Sequence, residues 1–154
     1  MKKIMISVMA VLVGGSALVA SPVVQATHGV YQTVYEPGLN EIVVRRTPAT
    51  RIALNPSTQH SWIIEVKPSA EPRHIREVYT LPGAAEWGMA ERKGVSADRK
   101  SCVIHGVLAP GQKYMFNTWG MSPGDPTGNY KIQVYIDEEL VKTFDFEVVK
   151  KTSI

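Results

Sequence analysis

The strongest constraint on the fold is the alternation of side chains near the end of the chain, in NYKIQVYIDEELVKTFDFEVV (129–149). Apolar or aromatic residues occupy every second position of two runs, and mostly polar residues stand between them. Such a period of two buries one face of a strand and exposes the other, as in an antiparallel sheet over a core. The two runs predict a closing β-hairpin with its carboxylates at the tip. Its expected buried face comprises Tyr130, Ile132, Val134, Ile136, Leu140, Phe144, Phe146 and Val148.

Nine short runs rich in β-branched and aromatic residues recur along the chain, separated by Pro and Gly. This spacing predicts a single all-β domain, either a sandwich or a barrel. The run SWIIEVKP (61–68) alternates in the same way and adds Trp62 to the expected core. Helix-forming residues cluster only in GAAEWGMAERKG (83–94), where Gly88 interrupts them, so we expect a loop or a short helix there.

The first 26 residues have the pattern of a secretory signal peptide. Lys2 and Lys3 precede an apolar stretch, and a small-residue cleavage motif ends at Ala26. We therefore expect a periplasmic or secreted domain in residues 27–154, with no transmembrane segment after cleavage. Discarding the two lysines lowers the formal net charge of +3 by two, and a charge this small predicts no nucleic-acid partner.

The single cysteine, Cys102, lies in the apolar, strand-like run SCVIHGVL (101–108). No disulfide can form within a chain that has one cysteine, so apolar burial must hold the core. His105 follows three residues later and falls on the opposite face of a strand, which argues against a Cys-His nucleophile pair. We expect a buried, inert thiol.

The segment GDPTGNYKIQVYI (124–136) has a turn, then Gly128, then Tyr130 at the start of an alternating strand. It resembles the penultimate strand of immunoglobulin-like sandwiches, where a tyrosine at the corner hydrogen-bonds back to the upstream backbone. In this resemblance Tyr130 is the corner residue, and the turn runs from Asp125 to Gly128. Antibody domains have a cysteine two residues after the tyrosine, whereas this chain has Ile132, so an antibody-type domain is excluded.

Three motifs together, HGVY (28–31), REVYTLP (76–82) and the closing hairpin, resemble a family of small secreted bacterial proteins with a domain of unknown function. The resemblance covers most of residues 27–154. It implies an immunoglobulin-like antiparallel β-sandwich of about seven to nine strands, located in the periplasm. It transfers no catalytic residue.

Signatures of catalysis are missing from the sequence, which has neither a G-x-S-x-G elbow nor a Gly-rich phosphate loop. We therefore expect a non-catalytic binding or accessory module without a cofactor. The alternative is a periplasmic copper protein. Cleavage after Ala26 makes His28 the second residue, and its imidazole together with terminal and backbone nitrogens would suit square-planar Cu(II).

Basic residues in the middle of the chain form a candidate binding patch close in sequence to Trp87. A solvated face is the ordinary explanation for such a cluster, and attraction of anionic glycan or lipid headgroups is the functional one. The partner is expected to be an envelope protein or glycan, met by loops at one end or by an edge strand. The oligomeric state stays open. The patch comprises Arg92, Lys93, Arg99 and Lys100.

Overall fold

A computed structural model describes residues 22–36, 41–56, 59–88 and 92–150 of the chain. These residues form nine strands and a short 3-10 turn, Arg92–Gly94. The strands are β1 (Val23–Glu36), β2 (Glu41–Pro48), β3 (Arg51–Leu54), β4 (Gln59–Val66), β5 (Arg73–Thr80), β6 (Ser101–Leu108), β7 (Tyr114–Gly120), β8 (Gly128–Ile136) and β9 (Glu139–Lys150). The expectation of an all-β chain is confirmed.

Two sheets form the sandwich, with strand orders β2-β1-β4-β7 and β3-β9-β8-β5-β6. Neighbouring strands pair antiparallel, except that β3 runs parallel to β9. Each of the nine runs noted in the sequence contributes one strand, so the sandwich, rather than the barrel, is the fold. No helix in the described part of the chain is long and apolar enough to cross a membrane.

The core lies between the two sheets and is rich in aromatic rings. Trp62 of β4 is 2% exposed, and it stacks on Phe144 of β9 with ring centroids 6.2 Å apart, which joins one sheet to the other. Opposite positions of β8 and β9 share the inner face, as in the pairs Tyr130 with Phe146 and Ile132 with Phe144. All the residues expected in the core from Trp62 and the hairpin alternation are buried except Leu140.

Leu140 is a correction to the alternation, because its side chain is 47% exposed. The register of the hairpin shifts near its tip, where Val134 pairs with Lys142 but Tyr135 pairs with Leu140. Val141 is the extra residue in this bulge, and one extra residue reverses which face the preceding side chains occupy. Leu140 therefore lies opposite Tyr135, on the outer face.

Strand β1 begins at Val23, ahead of the expected cleavage site. Val23 pairs with Val66, and the N–H of Lys67 donates to the carbonyl oxygen of Pro22 at 2.9 Å. A cut after Ala26 would remove these contacts from β4. The position of cleavage stays a prediction.

The segment from residue 83 to 94 is mostly irregular. Residues 83–88 form an extended loop, residues 89–91 lie outside the described residues, and a single 3-10 turn follows at Arg92–Gly94. Gly88 and the short runs of helix formers explain why no longer helix develops. The loop crosses one end of the sandwich, where it forms a wall of the site described next.

Candidate ligand pocket at the end of the sandwich

A pocket of about 200 Å³ lies at one end of the sandwich, between the loop that follows β5 and the turn that follows β7. Four aromatic residues line it, Tyr79, Trp87, Trp119 and Tyr130, and we call this site the end pocket. Its floor is buried, since Tyr79 is 4% and Tyr130 2% exposed. The residues of its rim include Gly88, which is exposed.

Three rings of the end pocket meet at steep angles. The centroids of Tyr79 and Trp119 are 4.6 Å apart, with planes tilted by 45°. Trp87 stands nearly perpendicular to both, at 83° to Tyr79 and 79° to Trp119, with centroids 6.0 Å away in each case. Edge-to-face packing of this kind is a favoured arrangement of aromatic side chains. The rings therefore form an aromatic corner whose faces and edges border the pocket.

The two tyrosine hydroxyls of the floor bond to the protein. The Tyr79 hydroxyl and His60 Nε2 are 2.7 Å apart, and the Tyr130 hydroxyl donates to the carbonyl oxygen of Pro126 at 2.5 Å. Burial raises the pKa of both phenols, and the nearby Asp125 carboxylate adds to this for each. Both tyrosines therefore stay neutral and present their rings rather than a charge.

The two indole N–H groups are also engaged. Trp87 Nε1 donates to the carbonyl oxygen of Arg99 at 2.9 Å, and Trp119 Nε1 donates to Glu77 Oε1 at 2.8 Å. Glu77 is buried and also accepts from Asn117 Nδ2 at 2.8 Å. Burial raises the pKa of Glu77, and these two hydrogen bonds oppose the shift. Both indoles are thus held at their polar ends.

Backbone hydrogen bonds attach the loop wall to a neighbouring turn. The N–H of Leu81 donates to the carbonyl oxygen of Lys100 at 2.8 Å, and the N–H of Ala85 donates to that of Arg99 at 3.1 Å. Since Trp87 Nε1 bonds to the same Arg99 carbonyl, three contacts hold the wall. Pairing of this kind fixes a loop that has no strand of its own.

The far side of the end pocket is shaped by the corner before β8. Gly128 has φ of 132°, a conformation that side chains disfavour, and a Cβ placed there would lie 3.2 Å from Pro82. Glycine therefore lets the corner approach the loop wall closely. The turn that begins this corner closes with Asp125, whose Oδ2 accepts the N–H of Ser122 at 2.7 Å.

Two carboxylates, Glu86 and Asp125, are the charged groups among the described residues that line the end pocket. Glu86 accepts from Arg99 Nη2 at 2.6 Å, and its side chain is 84% exposed. Asp125 is partly buried, and burial raises its pKa, although the Ser122 N–H opposes the shift. The ring faces and the Asp125 carboxylate place negative charge density beside the pocket, while Arg99 offsets the charge of Glu86.

A family model describes this architecture. The model of the PM0630 beta sandwich domain matches residues 33–149. The chain belongs to this family. The match includes both tryptophans of the end pocket and the whole closing hairpin, which confirms the expected membership in a small bacterial sandwich family.

A solved structure supports the fold. An immunoglobulin-like protein from Pseudomonas aeruginosa is 16% identical and superposes with a TM-score of 0.53, covering 81% of this chain and 92% of its own. At this identity the likeness shows the immunoglobulin-like fold alone. An alkylpurine DNA glycosylase, AlkC from Pseudomonas fluorescens, matches with 12% identity and a TM-score of 0.37, over 79% of this chain and 30% of its own. A search of curated proteins finds no match.

The predicted corner residues lie beside the end pocket. Asp125 and Tyr130 line it, and Gly128 forms the bend between them. The hydroxyl of Tyr130 reaches the backbone four residues upstream, at Pro126, which is the pattern of the tyrosine corner. The remaining predicted core residues, Trp62 and those of the hairpin other than Leu140, pack in the interior.

The predicted basic patch lies on the turn behind the loop wall. Lys93, Arg99 and Lys100 are exposed, and the side chain of Arg92 lies outside the described residues. Arg99 pairs with Glu86, so part of its charge is already compensated. Anion binding by the patch stays a prediction.

The copper hypothesis concerns a side chain outside the described residues. The backbone of His28 lies within β1, opposite Trp62, and copper binding stays a prediction. Within the described ranges, no group of three or more His, Cys, Asp or Glu residues is arranged to hold a metal ion. His74 and His105, far apart in sequence, do meet on the outer face of β5 and β6, with Nε2 and Nδ1 3.1 Å apart.

Sequence reasoning missed two residues of this region, Trp119 and Glu77 as its partner. The run QKYMFNTWG (112–120) is one of the nine predicted strands, and its parity carries a signal for Trp119. Met115, Asn117 and Trp119 alternate and point inward, which would have placed the indole at the end of the core. The pairing with Glu77 depends on a contact across the two sheets that no sequence pattern indicates.

Proposed function

We propose that this protein is a non-catalytic binding module of the periplasm or extracellular space, with the end pocket as its ligand site. The observation that carries the proposal is an aromatic corner with a buried floor and an accessible rim. Concave sites lined by aromatic rings with a few placed polar groups are typical of ligand pockets. The ligand is a small molecule or the end group of an envelope component.

The volume of the end pocket favours a small ligand group. At about 200 Å³ it falls below the roughly 300 to 1,000 Å³ that drug-sized ligands occupy. We therefore place the ligand at the end of the sandwich, among the loops, rather than along a sheet edge. The expected partner, an envelope protein or glycan, would insert one terminal group.

The chemistry of the lining favours binding over catalysis. Tyr79 and Tyr130 hold their protons, since burial raises the pKa of each, and their hydroxyls bond to His60 and Pro126. The carboxyl of Glu77 accepts the N–H of the Trp119 indole, so this carboxyl is also committed to an internal bond. Groups that are committed to internal bonds are suited to fixing shape rather than moving protons.

The three tryptophans of the chain give a direct test. In a ¹⁵N-labelled sample each indole N–H gives its own NMR signal, two from the end pocket and one from the core residue Trp62. We would titrate a defined panel of choline, glucose, N-acetylglucosamine, phosphate, acetate and a short peptide. A ligand of the end pocket shifts the signals of Trp87 and Trp119 and leaves that of Trp62 in place.

Two outcomes contradict the proposal. One is a panel in which no compound moves the signals of Trp87 and Trp119. The other is a compound that binds but moves only signals remote from these two residues. The Trp62 signal serves as the internal control for a general change of fold.

A further inference from the structure

We infer that the end pocket selects a quaternary ammonium group, such as the one that choline and choline-bearing headgroups carry. The inference rests on the proposed function and adds the chemical class of the ligand. It depends on the corner made by Tyr79, Trp87 and Trp119 and on the two carboxylates beside it.

The ring faces supply the first part of the attraction. An aromatic face carries negative charge density, and a cation over it is attracted at distances up to about 6 Å from the ring centre. Trp87 and Trp119, nearly perpendicular with centroids 6.0 Å apart, can both act on one small cation placed in the angle between them, and the buried ring of Tyr79 forms the floor. Quaternary ammonium ligands are the group for which this kind of recognition is best suited.

The occupied polar ends of the rings supply the second part. Both indole N–H groups donate to protein oxygens, and both tyrosine hydroxyls are bonded to the protein. The rings therefore offer faces and few hydrogen-bonding groups. A primary ammonium ion can donate to the Asp125 carboxylate, but its other N–H groups lie against the rings at a desolvation cost, whereas a quaternary ammonium has no N–H to satisfy.

The charges on the wall supply the third part. Glu86 and Asp125 both lie on the lining, and no Lys or Arg is among the described residues that line the pocket. The charge of Glu86 is paired with that of Arg99. The Asp125 carboxylate accepts the neutral backbone N–H of Ser122. Asp125 is thus the carboxylate that a bound cation would compensate, and an anionic ligand would be repelled by it.

Three small molecules that share a hydroxyethyl group separate the effects of charge and of the methyl groups. Choline carries the quaternary ammonium, 3,3-dimethylbutan-1-ol is its neutral carbon counterpart, and ethanolamine carries a primary ammonium. We would titrate each into the full-length mature chain and follow the indole signals of Trp87 and Trp119. We expect choline to bind at least tenfold more tightly than either of the other two.

Matched variants assign the effect to the rings and to Asp125. Trp87→Phe keeps an aromatic face and should keep most of the choline affinity, whereas Trp87→Leu should lose at least tenfold. Asp125→Asn should weaken choline several-fold without affecting the neutral alcohol. Phe116→Leu, an exposed aromatic residue on β7 outside the end pocket, is the control and should change nothing. Cooperative thermal unfolding well above the temperature of the titration certifies the fold of each variant.

The results distinguish failure of this inference from failure of the proposed function. If the neutral alcohol binds as tightly as choline, or Trp87→Leu retains choline, the end pocket binds small ligands but does not select the cation. If neither these molecules nor any member of the wider panel moves the two indole signals, both proposals are wrong. If choline binds as expected, vesicles of phosphatidylcholine and of phosphatidylglycerol separate the two sources of the quaternary ammonium group. Binding only to the former indicates a lipid headgroup, and binding of choline alone indicates the free molecule.

Discussion

The closing hairpin β8–β9 and the end pocket differ in how their residues are arranged along the chain. In the hairpin, inward-facing residues recur at every second position, and neighbours in space pair across one tight turn. In the end pocket, rings come from β5, the loop after it, β7 and β8. Regular alternation along two neighbouring strands thus builds the hairpin, whereas the end pocket depends on residues that the fold brings together from separate strands and a loop.

The largest expected effect is on the hairpin side of this comparison. Phe146 is 4% exposed and packs against Tyr130, with ring centroids 5.4 Å apart. Phe146→Ala should lower the free energy of unfolding by about 3 to 5 kcal/mol, because it leaves a cavity in the core. Urea denaturation measures the loss. Leu140→Ala, on the exposed face of the same strand, should cost less than about 1 kcal/mol, and equal losses would contradict the burial difference.

A smaller effect is expected at the corner that joins the two regions. Gly128→Ala introduces a side chain at φ of 132° and 3.2 Å from Pro82, and should destabilise the protein by about 1 to 3 kcal/mol. Gly124→Ala is the matched control, since a Cβ there has no atom within 4 Å. The control should alter stability by less than about 0.5 kcal/mol. Thermal unfolding of the two variants measures the difference. Equal melting temperatures would show that a side chain at Gly128 costs no more stability than one at Gly124.

The buried carboxyl of Glu77 gives a pH-dependent prediction. Burial raises its pKa above the ordinary value of 4.5, so the folded protein holds this proton more strongly than the unfolded chain. The resulting stabilisation is complete below pH 4.5 and is lost as the pH rises through the folded-state pKa. Glu77→Gln removes this titration.

The wild-type protein should therefore lose stability relative to Glu77→Gln as the pH rises from about 4 towards 7, by an amount on the order of 1 kcal/mol per unit of pKa shift. Asp98 and Asp137, whose pKa values are lowered, have the opposite pH dependence, but they are present in both proteins and cancel in the difference. Urea denaturation across this pH range tests it. Parallel curves for the two proteins would show that Glu77 does not titrate differently on folding.

The smallest effect on stability is expected at the loop wall. Trp87→Leu removes one hydrogen bond and two ring contacts at a partly exposed site, and because leucine keeps part of the apolar packing, the cost should be about 1 kcal/mol. Chemical denaturation in the absence of ligand measures this cost. A loss of stability as large as that of Phe146→Ala would mean that the loop wall is part of the core. The contrast in stability between the hairpin and the end pocket would then be wrong.

The fold was largely predictable from the sequence because strand alternation is a local property. The positions of Trp62, Tyr130 and Phe144 in the core followed from parity and the corner motif. Leu140 did not, because the bulge at Val141 depends on the register between two strands rather than on either strand alone.

The end pocket was much less predictable. In the sequence, Trp87 stands out only by its closeness to the basic patch, and Trp119 lies in a strand run that contains no functional motif. Their contact depends on how the loop after β5 crosses the end of the other sheet, and backbone bonds to Lys100 and Arg99 determine that path. Such long-range pairing has no periodic signature in the chain.

Tyr79 and Trp87 touch in the end pocket, yet they differ in how freely they can vary. The ring of Tyr79 lies in the core and its hydroxyl meets His60, so exchanging it would disturb the interior. Trp87 sits on a loop held chiefly through backbone groups, and its replacement leaves the interior in place. In the proposed binding site, the residue at the position of Trp87 can therefore change without rebuilding the sandwich.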